Sequence, residues 1–86
     1  KPDIKSELLI CAKNKDGKHI IELKIKSENT YARMVNIEVP GKDYVLYSDN
    51  FFDLSAGEEI IIKLLSDKEI NPDNIKIKTW IDNWDT

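Results

Sequence analysis

Ile21-Glu22-Leu23-Lys24-Ile25-Lys26, entered through the turn Asn14-Lys15-Asp16-Gly17, decides the fold. Apolar and charged residues alternate one for one. Successive side chains of an extended strand point to opposite faces, so three aliphatic residues fall on one side and three charges on the other. A helix needs apolar residues at i, i+3, i+4 and i+7, and no useful length of the chain has that spacing. The tetrapeptide before it reads as a hairpin turn. Asn and Asp favour turn geometry, and Gly17 takes a positive φ without a Cβ clash.

The same period recurs further along. Ile60, Ile62 and Leu64 alternate with Glu59, Ile61 and Lys63; Ile75, Ile77, Thr79 and Ile81 alternate with Lys76, Lys78, Trp80 and Asp82. Pro40-Gly41, Ala56-Gly57 and Asn71-Pro72-Asp73-Asn74 punctuate the runs. Strands are expected at about 4–13, 18–27, 32–39, 43–48, 58–65 and 74–82, with a short seventh within 50–54. Short strands at such regular spacing imply an all-β fold, a two-layer antiparallel β-sandwich of six or seven strands. The first strand is ambiguous in phase. Leu8-Leu9-Ile10-Cys11 is continuously apolar, so either parity could face the core, or a bulge could switch it.

With 86 residues the chain has room for one domain, 1–86, holding one core and no deep catalytic cleft. Aliphatic blocks argue against disorder. The net charge of -3 and the absence of a clustered basic stripe argue against nucleic acid. No apolar run approaches the roughly 20 residues that span a bilayer, so no membrane partner is expected. One cysteine allows no intrachain disulfide, and no Asn-x-Ser/Thr sequon occurs. Together these lean towards a reducing, cytoplasmic compartment. The chain starts at Lys1 rather than Met and is read as a fragment of a larger multidomain protein.

No constellation carries catalysis, and no cofactor or metal is expected. His19 is the single histidine, with no nucleophile or ligand set at a recognisable spacing, and reads as an exposed hairpin residue. Cys11 reads as a small core hydrophobe. Asp49, Asn50 and Asp53 offer oxygen donors, but not in an EF-hand spacing. The better reading is that Asp49 and Asn50 satisfy turn amides while Phe51, Phe52 and Leu54 fill one end of the core. Asp43 with Asp49, or Glu58 with Glu59, lack the sugar-sized cleft that a carboxylate pair needs.

Trp80 shares its strand parity with Lys76 and Lys78 and so points away from the core, with Trp84 beyond it. Such residues anchor interfaces or stack on sugars. Either role is open, as is a fold-back over the sandwich. Lys24, Lys26, Lys63, Lys76 and Lys78 read as solvated faces that blunt sheet edges.

Ala32 to Val39, then Tyr44-Val45-Leu46-Tyr47-Ser48-Asp49-Asn50-Phe51-Phe52-Asp53-Leu54-Ser55-Ala56-Gly57-Glu58, resembles the C-terminal immunoglobulin-like domain of bacterial β-mannosidases in glycoside hydrolase family two. That pattern is Ser-Asp-Asn-aromatic-Phe-Asp-Leu, a Pro-Gly-Glu or Ala-Gly-Glu turn, then an apolar strand. Ala56 stands where proline is commoner. The resemblance implies a non-catalytic accessory domain whose partners are the other domains of its own chain, since both catalytic carboxylates of such enzymes lie in a separate barrel. Asp49, Asn50, Phe51, Phe52, Asp53, Leu54 and Gly57 carry over as a structural signature only. Two alternatives remain: a carbohydrate-binding module stacking sugars on Trp80 and Trp84, with Tyr44 or Tyr47, and a cell-surface adhesion module.

Overall fold

A computed structural model describes residues 3–41 and 45–80 of the chain. Among these residues seven strands form two antiparallel sheets, as the period-two pattern predicts. β1 (Ile4–Lys13), β2 (His19–Ser27), β6 (Glu59–Ser66) and β4 (Val45–Tyr47) make a four-stranded sheet in the order β1-β2-β6-β4. β5 (Phe52–Leu54), β3 (Ala32–Glu38) and β7 (Lys76–Lys78) make the facing sheet in the order β5-β3-β7. This is the immunoglobulin-like sandwich that the sequence implies.

The core lies between the sheets. Ile21, Leu23 and Ile25 of β2 and Ile62 and Leu64 of β6 face Ala32, Val35 and Ile37 of β3, with Val39, Leu54 and Ile70 closing the ends. Each fully buried aliphatic side chain contributes about 1.5–3 kcal/mol of transfer free energy, which makes this face the main source of stability. β2 is buried at every second residue, from His19 to Ser27. Its entry turn forms as expected: the Asn14 side-chain oxygen accepts from the Asp16 and Lys18 amides at 3.0 and 2.9 Å, and Gly17 sits at φ 82.

β1 resolves its ambiguity with a bulge. Leu8 pairs with Leu23 and Ile10 with Glu22, so Leu9 is the extra residue and parity flips across it. The strand lies at the sheet edge, and all of its residues after Ile4 are exposed. Cys11 is therefore exposed, not core filler as the sequence suggested. The facing sheet has three strands and leaves β1 uncovered.

The last strand also departs from expectation. Residues 72–74 form a 3-10 turn, because Pro72 suits its first position and the Asn71 side chain caps it by accepting from the Asp73 amide at 3.0 Å. Strand pairing is then limited to Lys76–Lys78. The expected strand ends at 43–44 and 81–82 lie outside the described residues.

Candidate functional site

The segment from Ser48 to Glu58 carries the chain from one sheet to the other. Ser48 still belongs to the first: its amide donates to the Lys63 carbonyl at 2.9 Å, and its hydroxyl accepts from the Lys63 amide at 2.8 Å. Asp49 accepts from the Asn50 amide at 2.8 Å, a turn-forming bond. Asn50 then acts as a substitute strand. Its Oδ1 accepts from the Ile37 amide at 2.8 Å and the Phe51 amide at 3.1 Å, while its Nδ2 donates to the Ile37 carbonyl at 3.2 Å. The carboxamide thus satisfies both backbone groups of a buried β3 residue where the crossing chain cannot pair with it. Aspartate could accept there but could not donate.

Asp53 holds a second point on β3. Val35 pairs with Phe52 and Ala32 with Leu54, so Arg33 and Met34 form a bulge opposite Asp53. The Asp53 carboxylate accepts from the Met34 amide at 2.9 Å and the Tyr31 hydroxyl at 2.6 Å. The Tyr31 bond and then the Met34 bond hold the Asp53 carboxyl below its ordinary range, and the same Asp53 bond raises the Tyr31 hydroxyl. The turn closes at Glu58, whose side chain accepts from the Ser55 amide at 2.8 Å, with Gly57 at φ 80. These oxygens are engaged with backbone and hydroxyl donors, and the described residues hold no cluster of three metal-ligating side chains.

The aromatic residues divide. Leu54 is buried and Phe52 packs against the core, as expected. Phe51 does not: it is 59% exposed, because its backbone sits in the left-handed region at φ 57 and turns the ring outwards. Met34, at φ 52, does the same. They are the two non-glycine residues with positive φ among those described, a conformation that costs about 1–2 kcal/mol each. Trp80 is exposed, with the Arg33 guanidinium 5.5 Å from its ring centroid, but the strand ends at Lys78, so strand parity does not place it. Tyr47 is half-buried and packs against the core. Trp84, Tyr44 and Asp43 lie outside the described residues.

His19 is buried rather than exposed. Its Nδ1 accepts from the buried Ile70 amide at 2.9 Å, which assigns the ring hydrogen to Nε2, 3.7 Å from the Cys11 sulfur. In that tautomer the ring cannot take a proton from the thiol. Nε2–H instead donates to the Cys11 sulfur, so the pair is not a nucleophile and its base.

Sequence reasoning missed the outer face of the four-stranded sheet. Ala12 pairs with Ile20, Ile20 with Leu65, and Leu65 with Leu46, so one apolar row crosses all four strands. Leu46 is 70% exposed. A hollow of about 270 Å³ lies at this end of the row, lined by Lys18, Leu46, Leu65, Ser66 and Asp67, with Lys18 and Asp67 ion-paired on its rim. The rest of the face is mixed: Glu22 and Lys63 lie 3.8 Å apart, and the exposed Ile10 and Ile61 pair with Glu22 and Lys24. The available signal was Ile20 and Leu65, apolar at positions of outward parity.

No curated protein and no solved structure matches the chain. The Ig_mannosidase family, described as an Ig-fold domain, matches residues 5–83. That span takes in the β3 bulge, the Asn50 and Asp53 clamps and both sheets, and an Ig-fold domain of this kind is generally non-catalytic. The chain belongs to the Ig-fold domain family of mannosidases.

Proposed function

We propose that this chain is a non-catalytic accessory domain of a β-mannosidase-type glycoside hydrolase, one domain of a longer polypeptide, and that it packs against other domains of that polypeptide. The observation that carries this reading is the apolar row Ala12–Ile20–Leu65–Leu46 across the outer sheet face, on which Ile10 and Ile61 are exposed as well. A sandwich of this size gains nothing in its own core from apolar side chains on an outer face, whereas a neighbouring domain covering them gains transfer free energy. The motif from Ser48 to Glu58 serves this role indirectly, by locking the crossing between sheets with Asn50 and Asp53.

The test sets this reading against sugar binding and catalysis. The chain is assayed for hydrolysis of an aryl mannoside and titrated with mannose, mannobiose and mannan fragments, followed by tryptophan fluorescence. No turnover and a flat titration are expected. Reproducible turnover by pure chain would overturn the non-catalytic role. A saturable shift at millimolar sugar or below would instead make it a carbohydrate-binding module built on its indoles.

A further inference from the structure

Among the described residues β1 is the long edge. The other edge strands, β4, β5 and β7, have three described residues each, which offers less to a pairing chain. β1 has ten and is paired along one side alone, to β2. Its far side presents a row of backbone donors and acceptors with no strand beside it among the described residues. Leu8 is 46% exposed next to that row.

The bulge at Leu9 divides β1 into two halves of opposite parity. A straight partner strand in register with one half is out of register with the other. The half from Ile4 to Leu8 is regular, and it is complementary to itself. Laid antiparallel on a second copy with Ser6 against Ser6, it sets Ile4 opposite Leu8 and Lys5 opposite Glu7, each twice by symmetry. The faces agree. Ile4 and Leu8 lie beside Ser27 and Leu23 on the core side, and Lys5 and Glu7 lie beside Lys26 and Lys24 on the outer side. Directly opposite side chains are the closest cross-strand neighbours, so both an apolar pair and a charge pair are matched.

The charges also select this register. Moving the two-fold axis by one residue sets Lys5 against Lys5 or Glu7 against Glu7, and like charges directly opposite are destabilising. Within one copy Lys5 stands opposite Lys26, and its carboxylate contact is Asp3 at 3.6 Å on the exposed surface. A second copy would place Glu7 on the other side of Lys5.

We propose that the chain self-associates through this half-strand, with Ser6 on the two-fold axis, so that two four-stranded sheets join edge to edge. The contact is separate from the apolar row, and stands whether or not that row docks a neighbouring domain.

Sedimentation velocity over a concentration series tests this, with circular dichroism to confirm folding. The wild-type chain is expected to dimerise reversibly. Lys5→Glu or Glu7→Lys turns both opposite pairs into like pairs, and should weaken the dimer about ten- to hundredfold. The double variant restores opposite charges and should return to within a few-fold of wild type. Ser6→Cys, made with Cys11→Ser, should cross-link two copies under mild oxidation faster than Ala12→Cys in the same background. A chain monomeric up to about 1 mM would overturn the proposal. So would a dimer indifferent to the single reversals, a double variant that fails to recover, or a Ser6→Cys chain slower than the Ala12→Cys control. If a single reversal unfolds the chain, the double variant and the cross-link decide the matter.

Discussion

Replacing Asn50 isolates the clamp between the sheets. In Asn50→Ala the Ile37 amide and carbonyl both lose their partner, and Ile37 is almost fully buried. Leaving a buried donor or acceptor unsatisfied costs about 1–3 kcal/mol, and the lost Phe51 bond adds about 0.5–1.5 kcal/mol. Water reaching the Ile37 groups recovers part of this, so a net loss of about 2–4 kcal/mol is expected. A domain of this size is stable by about 5–15 kcal/mol, and each kcal/mol moves its midpoint by about 4–8 °C. A fall of at least about 10 °C should follow, read by tryptophan fluorescence in thermal and urea unfolding. Asn50→Asp sharpens the test. Its carboxylate still accepts from the Ile37 and Phe51 amides but cannot donate to the Ile37 carbonyl, so at neutral pH this variant should be less stable than wild type although the side chain keeps its size. An Asn50→Ala change within about 0.5 kcal/mol of wild type, which is ordinary for a surface site, would refute the clamp.

His19→Phe keeps the ring volume but strands the Ile70 amide, and should cost about 1–3 kcal/mol in urea unfolding; an unchanged midpoint would show that the Nδ1 bond is dispensable. The Asp53–Tyr31 bond predicts two pH arms. Asp53 is depressed in the folded state, so its contribution is present above the usual carboxylate range and is lost as pH falls through its folded pKa; Tyr31 is raised, so its contribution is present below its usual range and is lost as pH rises through its folded pKa. Tyr31→Phe should abolish the alkaline arm and shrink the acid arm, leaving the part due to the Met34 amide, and pH-dependent unfolding of the two chains compares them directly.

The sheets were legible wherever a strand is buried on one face. β2 and β6 alternate because one side meets the core and the other meets water, and period two records that difference directly. The turn at Asn14–Gly17 was legible because its bonds are local. What could not be read were contacts made at long range. His19 is buried by Ile70, 51 positions away, and nothing near it in sequence marks that. Cys11 sits in an apolar run that reads as core until the facing sheet proves one strand too narrow to cover it. Phe51 points outwards because the crossing between sheets twists its backbone to positive φ, a constraint of tertiary origin that no side-chain pattern records. The Asn50 and Asp53 positions were marked by the motif, yet both proved to brace β3, and Asn50 of the two also caps its own turn. The apolar row was hidden because it runs across four strands, and registers rather than sequence neighbours assemble it.

The most direct measurement of the proposed docking is the affinity of this 86-residue chain for the other domains of the longer polypeptide proposed above, produced separately and followed by titration calorimetry. Saturable binding is predicted, weakened at least about tenfold by Leu46→Asp together with Leu65→Asp, with no loss of the chain's folded spectrum beyond that of a surface change. No binding, or binding that the two aspartates leave untouched, would contradict the role assigned to this face.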